Sequence, residues 1–261
     1  MNEFLAKINT RIQEKKTFVC VGLDTDCAKL PEKFRHAAEP ILEFNKYIID
    51  ATRDLAACYK PNLAFYEMYG LAGLKALAAT LKYIPAEIPV ILDAKRGDIG
   101  NTSRAYAQAV FEELNADAVT LAPYMGEDSI APFLAYQEKY SFVLCLTSNQ
   151  GAQDFQKPDL YKKVAAKIQE WQERHGNCGA VVGATQPQEI RGIREIIPAA
   201  FLLIPGVGAQ GGELAGTVQA ARNKQNSGFL INSSRGIIYA ADPAAAAAKL
   251  RAEINTLGII P

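Results

Sequence analysis

The stretch Ile91-Leu92-Asp93-Ala94-Lys95-Arg96-Gly97-Asp98-Ile99-Gly100-Asn101-Thr102 ends an apolar run with an acid, a base and a second acid, spaced D-x-K-x-x-D. Residues i and i+2 of a strand share a face, so Asp93 and Lys95 should project together from the end of a buried strand. Charges at the end of a core strand are costly unless they meet each other or a ligand. A salt bridge and a ligand site both fit the D-x-K pair alone, and the flanking Gly97, Asp98 and Thr102 favour a site.

Short β-type runs alternate with longer helical stretches on both sides of this segment, which predicts parallel βα units. The eight strand candidates are Phe18–Leu23, Ala57–Lys60, Val90–Ala94, Ala118–Ala122, Phe142–Thr147, Ala180–Gly183, Phe201–Pro205 and Gly228–Asn232. Helical patterns between them include Pro40–Leu55, Ala72–Tyr83, Thr102–Leu114, Leu160–Arg174 and Gly211–Asn223. Eight such units predict an α/β fold, a single closed (β/α)8 TIM barrel rather than an open doubly wound sheet.

Both ends of the chain also have helical patterns. Apolar residues recur at helical spacing near the N-terminus (Phe4, Leu5, Ile8 and Ile12), which predicts a helix capping the barrel bottom. Asp242-Pro243 starts an alanine-rich helix that closes the ring. The length of 261 residues fits one barrel and no linker interrupts it, so we expect a single catalytic domain over residues 1–261.

Composition excludes several classes of function. Lys plus Arg number 28 and Asp plus Glu number 28, so we expect no general affinity for nucleic acid or anionic membrane. No apolar run is as long as a membrane span, and five scattered cysteines indicate a reduced, cytoplasmic protein. The two histidines, His36 and His175, lie away from the predicted strand ends, which argues against a histidine-ligated metal and a Ser-His-Asp triad.

Polar residues gather where the predicted strands end, which is where (β/α)8 barrels hold their active sites. Asp24 follows the first strand, Lys60 ends the second, and Ser148 follows the fifth. Taken singly, Asp24 could cap a helix, Ser148 could occupy a turn and Lys60 could extend toward solvent. Their recurrence at one face of one barrel favours a functional site.

The seventh and eighth units carry a signal for phosphate. The glycine-dense turn Pro205–Gly212 opens a helix, a geometry that lets backbone N–H groups approach an oxyanion. The eighth strand runs into Asn232–Gly236, where Arg235 offers the bidentate fork that a phosphate prefers. Loops after strands 7 and 8 are the usual phosphate site of these barrels. A dinucleotide fingerprint has the same glycine spacing, but this one falls late in the chain, outside the expected βαβ context.

Together these residues resemble the orotidine 5′-phosphate decarboxylase family. The D-A-K-R-G-D-I-G-N-T segment, Gly22-Leu23-Asp24, Lys60, Pro205–Gly212 and Arg235 fall in the family order over nearly the whole chain. The loop Thr147–Gly151 and the length are similar to the longer bacterial branch. The resemblance implies decarboxylation of orotidine 5′-phosphate to UMP in de novo pyrimidine biosynthesis. It further implies a homodimer of (β/α)8 barrels that needs neither a metal nor an organic cofactor.

The resemblance also implies roles for residues of this chain. The family's four-residue charge array corresponds to Lys60, Asp93, Lys95 and Asp98. Lys95 would protonate C6 of the pyrimidine as carbon dioxide leaves, and Asp93 would lie near the substrate carboxylate and hold Lys95 in place. Lys60 and Asp24 would bind the ribose hydroxyls.

The remaining contacts implied by the resemblance lie at the base, the phosphate and a subunit interface. Ser148 would contact the base, although a one-residue slip within Thr147–Asn149 would change which hydroxyl does so. The phosphate end would comprise Pro205, Gln210, Ser234 and Arg235. The neighbouring subunit would supply Asp98, Ile99 and Thr102.

Two other readings of the barrel remain. Related D-x-K barrels decarboxylate or condense sugar phosphates with a magnesium ion, but they would need an acidic residue in place of Lys60. A sensor or scaffold for a phosphorylated ligand would be expected to have lost a member of the charge array, and none is missing.

Overall fold

A computed structural model describes residues 2–184, 186–207 and 214–258. It contains eight parallel strands: β1 (Val19–Gly22), β2 (Cys58–Lys60), β3 (Ile91–Arg96), β4 (Ala118–Leu121), β5 (Tyr140–Leu146), β6 (Cys178–Val182), β7 (Leu202–Pro205) and β8 (Phe229–Ser233). They pair in the order β2-β1-β8-β7-β6-β5-β4-β3. Parallel bridges from Tyr59 to Val90 and from Asn62 to Asp93 join the two remaining edges. The predicted (β/α)8 barrel is therefore confirmed.

Helices alternate with the strands. They are α1 (Glu3–Lys15), α2 (Glu32–Arg35), α3 (Pro40–Thr52), α4 (Ala64–Glu67), α5 (Gly70–Tyr83), α6 (Gly100–Gln108), α7 (Glu127–Leu134), α8 (Ala152–Phe155), α9 (Leu160–His175), α10 (Pro187–Ile196), α11 (Leu214–Ala221), α12 (Arg235–Ile238) and α13 (Pro243–Asn255). A short 3₁₀ turn spans Cys27–Lys29, and the π-helical segment Ala109–Glu113 extends α6. The helix predicted at Thr102–Leu114 thus begins two residues earlier and changes its winding near its end.

Helix α1 covers the N-terminal ends of the strands. The Phe4 ring stacks on Tyr140, the first residue of β5, with 5.1 Å between ring centroids. Lys7 forms a 2.6 Å ion pair with Asp117, the residue before β4. Arg11 is buried and donates to backbone carbonyls of the segment that leads into β2. The predicted cap on the barrel bottom is therefore confirmed.

Strand β3 departs from regular pairing where its charged residues begin. Leu92 pairs with Val119 of β4, whereas Arg96 pairs with Leu121, so four steps along β3 match two along β4. Such an insertion is a β-bulge, a feature common near active sites. Within it Lys95 has a φ of 47°, in the left-handed region that a residue with a side chain seldom adopts.

Candidate active site

Three charged residues meet at the C-terminal ends of β2 and β3. Asp93 accepts a hydrogen bond at Oδ2 from Lys60 Nζ, at 2.7 Å. Its Oδ1 accepts from Lys95 Nζ at 2.6 Å. We call Lys60, Asp93 and Lys95 the Lys–Asp–Lys cluster. The side chains of Asp93 and Lys95 meet as the sequence predicted, but they do so across a bulge rather than through the alternation of a regular strand.

Burial and charge have opposing effects on the ionisation of this cluster. Lys60 is 3% exposed and Asp93 is 9% exposed. Burial opposes the Lys60 ammonium, but the negative charges of Asp93 and Asp24 outweigh it and raise the pKa of Lys60 above its ordinary value. Burial likewise opposes the Asp93 carboxylate, but the charges of Lys60 and Lys95 hold the pKa of Asp93 well below its usual range. Lys60 and Asp93 are therefore both ionised at neutral pH.

Lys95 differs from its two neighbours in exposure. Its side chain is 49% exposed, whereas the Asp93 side chain that it contacts is 10% exposed. The Lys60 ammonium is therefore buried beside Asp93, and the Lys95 ammonium lies on the solvent side of the cluster.

Thr120 of β4 completes the cluster, and the sequence analysis did not identify it. Its hydroxyl donates to Asp93 Oδ1 at 2.9 Å and accepts from the backbone N–H of Lys95 at 3.0 Å. The only sequence signal was a single hydroxyl within the apolar strand candidate Ala118–Ala122. That signal has no meaning until the register between β3 and β4 is known.

Asp24 follows β1 and lies close enough to Lys60 for its charge to raise the pKa of that lysine. Its Oδ1 is buried and has no hydrogen-bond partner among the described residues. The Tyr66 hydroxyl donates to the carbonyl of Leu23 at 2.9 Å, and Thr25 donates to the buried Asn45 at 2.6 Å. The residues on both sides of Asp24 are thus anchored by hydrogen bonds, while Oδ1 can still accept from a hydroxyl donor.

In the loop after β5, the Thr147 hydroxyl is engaged within the loop itself. The Thr147 N–H donates to Gln156 Oε1 at 2.7 Å, and Gln156 Nε2 donates to the Thr147 hydroxyl at 2.8 Å. That hydroxyl in turn donates to Asn149 at 2.6 Å. Ser148 is exposed, and its backbone runs close to the end of β6, since a Cβ on Gly183 would lie 2.7 Å from Ser148 N.

Three of the four predicted phosphate residues lie at the ends of β7 and β8. Pro205 ends β7, and Arg235 is exposed at the start of α12. Ser234 lies directly over Gly22 at the end of β1, because a Cβ on that glycine would lie 1.9 Å from Ser234 Oγ. Gln210, the fourth predicted member, lies outside the described residues.

Asp98, Ile99 and Thr102 are not brought to the cluster within this chain. Asp98 Oδ1 accepts from the adjacent Ile99 N–H at 2.8 Å. Ile99 is 56% exposed, and Thr102 is also exposed. Within the part of the chain that the structure describes, no hydrogen bond or ion pair joins these three residues to the Lys–Asp–Lys cluster.

The described ranges contain neither a cluster of metal-ligating side chains nor a membrane-spanning helix. No group of three or more His, Cys, Asp or Glu side chains there is arranged to hold a metal ion. No helix in the same ranges is long and apolar enough to cross a membrane.

Fold and site together define a (β/α)8 barrel that presents a Lys–Asp–Lys cluster at its strand ends. The family described as orotidine 5′-phosphate decarboxylase / HUMPS matches residues 17–250 of this chain. The chain belongs to this family, as its sequence motifs predicted.

Known relatives match nearly the whole chain. The orotidine 5′-phosphate decarboxylase of Christiangramia forsetii is 51% identical over 244 residues, which cover 90% of this chain and 89% of that protein. The orotidine 5′-phosphate decarboxylase of Flavobacterium johnsoniae is 49% identical over 255 residues, which cover 95% of this chain and 93% of that protein.

Solved structures share the architecture. The OMP decarboxylase of Leishmania donovani superposes with a TM-score of 0.88 at 43% identity, covering 98% of both chains. The UMP synthase of the same organism gives a TM-score of 0.90 at 44% identity, covering 98% of this chain and 57% of that one.

Proposed function

We propose that this chain is a carboxy-lyase that converts orotidine 5′-phosphate to UMP in pyrimidine biosynthesis, and that residues 1–261 form one catalytic domain. Membership of the family and relatives at about half identity over most of the chain support the activity. The structural observation that carries the mechanism is the Lys–Asp–Lys cluster, with its buried carboxylate bonded to two ammonium groups.

The chemistry requires a cation beside C6 of the pyrimidine. When the bond from C6 to the carboxylate breaks, carbon dioxide leaves and the electron pair stays on C6, where the ring delocalises it poorly. A fixed ammonium in a site shielded from water stabilises that developing charge. Lys95 is the ammonium with donors on the open side of the cluster, and it then transfers a proton from Nζ to C6. The neutral amine regains its proton from solvent.

Asp93 and Lys60 keep Lys95 ready for this step. The depressed pKa of Asp93 ensures that a carboxylate is always present to hold the Lys95 ammonium, and Lys60 neutralises that carboxylate from the buried side. Lys60 and Asp24 bind the ribose hydroxyls of the substrate. The buried Asp24 Oδ1, which has no partner among the described residues, supports this role because a ribose hydroxyl can donate to it.

The rest of the substrate lies along the strand ends. Ser148 contacts the base, an assignment supported by its exposed position after β5, against the end of β6. The phosphate contacts Pro205, Gln210, Ser234 and Arg235. The phosphate is remote from C6, but its binding energy can be used to close loops over the substrate. Loop closure then raises the rate of decarboxylation, although the phosphate does not contact C6.

We further propose that each site is completed by a second copy of the chain, which contributes Asp98, Ile99 and Thr102. The exposure of Ile99 supports this, as does the lack of any described bond from these three residues to the cluster of their own chain. The resulting homodimer is two-fold symmetric, so each chain gives these residues and receives them.

The cluster also favours a reaction without a metal ion or cofactor. A magnesium-dependent barrel would need carboxylate oxygens directed at the ion. Here both oxygens of Asp93 already accept bonds from Lys60, Lys95 and Thr120, and Lys60 stands where a second acid would be required. A metal ion at this position would have to displace an ammonium group.

The decisive experiment is a spectrophotometric assay of the purified chain with orotidine 5′-phosphate, with and without EDTA. We expect turnover to UMP that EDTA does not reduce. An inactive but folded chain would exclude the proposed function and favour a sensor or scaffold. Activity lost in EDTA and restored by magnesium would instead indicate the metal-dependent relatives.

A further inference from the structure

The backbone N–H of Lys95 lies inside the β3 bulge, where the regular ladder to β4 is interrupted. Pairing resumes beyond it, since the Ala122 N–H donates to the carbonyl of Arg96 at 2.8 Å. A bulge leaves the inserted residues without their usual ladder partners. At Lys95 the Thr120 hydroxyl, rather than a carbonyl of β4, accepts the amide hydrogen at 3.0 Å.

Thr120 is 1% exposed, and its hydroxyl serves two members of the cluster at once. A hydroxyl has a single hydrogen to donate. That hydrogen is directed at Asp93 Oδ1, 2.9 Å away, while the lone pairs face the Lys95 amide. The hydroxyl therefore connects the backbone of Lys95 to the carboxylate that also holds the Lys95 ammonium.

We propose that Thr120 is a positioning residue for the decarboxylation, which it supports by fixing the left-handed backbone of Lys95 and the orientation of the Asp93 carboxylate. The inference rests on the proposed function. Thr120 acts through these two residues. It sets the position of the Lys95 ammonium relative to C6 at the moment of proton transfer. A displacement of about 1 Å in a reacting group can lower a rate by roughly 100-fold.

The hydroxyl also matters after proton transfer. Once Lys95 has given its proton to C6, it is a neutral amine and attracts the Asp93 carboxylate less strongly. Oδ1 then keeps the Thr120 hydrogen bond while Oδ2 keeps Lys60. The carboxylate is thereby held in place for the return of a proton to Lys95.

The test compares Thr120→Val, which keeps the shape and removes the hydroxyl, with Thr120→Ser, which keeps the hydroxyl. Thr217→Val on α11 is the matched control, because Thr217 is also fully buried and its hydroxyl has no partner among the described residues. We expect Thr120→Val to lower kcat roughly 10- to 100-fold while KM and the dissociation constant of UMP stay close to those of the parent. Thr120→Ser should recover most of the lost kcat, and Thr217→Val should leave kcat unaltered.

Two outcomes overturn the inference. Parental kcat in Thr120→Val would show that the hydroxyl does not position Lys95, and equal losses in the Ser and Val variants would show that retaining the hydroxyl gives no rescue. If Thr120→Val does not fold, Thr120→Ala removes the same hydroxyl and is judged by the same criteria. Failure of the proposed function can be distinguished from failure of this inference, because in that case the parent chain itself would not turn over orotidine 5′-phosphate.

Discussion

Asp93 Oδ2 lies 2.7 Å from Lys60 Nζ, and both side chains are almost wholly buried. Neither charge is stable alone at that depth, since removing one partner of a buried pair leaves the other uncompensated. The same carboxylate holds Lys95 at its other oxygen. The stability of the barrel interior and the position of the exposed ammonium therefore depend on one side chain.

This dependence predicts that Asp93→Asn destabilises the chain in a pH-dependent way. At pH 7 we expect a loss of about 3 kcal/mol in the free energy of unfolding, because Lys60 keeps its charge and loses its main counter-charge. The pKa of Asp93 is lower in the folded chain than in the unfolded one. Its stabilising contribution is thus complete above the unfolded pKa of about 3.9 and is lost as the pH falls below it.

Urea unfolding of the parent and of Asp93→Asn, from pH 7 down to about pH 3, measures this contribution. The difference in the free energy of unfolding between the two proteins should be constant near neutrality and should become smaller below about pH 4. Asp54→Asn is the control, because Asp54 forms an exposed ion pair with Lys15 and solvent screens such pairs. A gap that widens on acidification would contradict the assignment of Asp93 as a buried carboxylate with a depressed pKa.

Gly22 gives a second prediction, which concerns the phosphate end of the site. A methyl group at this position would occupy the space of Ser234 Oγ, so Gly22→Ala must displace Ser234. We expect KM for orotidine 5′-phosphate to rise in Gly22→Ala, with a smaller effect when the substrate lacks its phosphate. Gly192→Ala on α10 is the control, since a Cβ there would have no described atom within 4 Å beyond its chain neighbours and its own helix backbone. Equal KM values in the two variants would show that Ser234 does not contribute to phosphate binding.

The proposed sharing of each active site between two chains predicts recovery of activity from two inactive proteins. Lys95→Ala dimers and Asp98→Ala dimers are mixed, and their subunits are allowed to exchange. Each mixed dimer then has one site with both defects and one intact site, so roughly a quarter of all sites should recover under random pairing. If Asp98 acts within its own chain, every site keeps a defect, and confirmed exchange without activity would refute the shared site.

Much of the fold could be predicted because strands and turns leave local signals. Each of the eight strand candidates overlaps an observed strand, and most boundaries differ by only one or two residues, as between Phe18–Leu23 and the observed β1. Asp93, Lys95 and Lys60 could be grouped because the ends of parallel strands converge at one edge of a barrel. Charged residues at the end of an apolar run are visible in sequence.

The bulge and Thr120 could not be predicted in this way. Period-two alternation assumes a regular strand, whereas the left-handed backbone of Lys95 depends on the pairing register between β3 and β4. Thr120 acquires its role only through that register, which no local pattern encodes. The engagement of Thr147 by Gln156 depends equally on the path of the loop between them.

We propose that the half-exposed ammonium of the cluster, that of Lys95, performs the chemistry. Lys95→Ala removes that ammonium and leaves Lys60 and Asp93 paired. The control is Lys75→Ala, at an exposed lysine of α5, where substitutions seldom matter.

The most direct measurement is kcat for orotidine 5′-phosphate in these two variants, together with the dissociation constant of UMP. We predict that Lys95→Ala loses at least roughly 100- to 10,000-fold in kcat while it still binds UMP, because the loss falls on the transition state. Lys75→Ala should match the parent in both quantities. A folded Lys95→Ala chain with near-parental kcat would contradict the account, since Lys95 could then be neither the stabilising cation nor the proton donor.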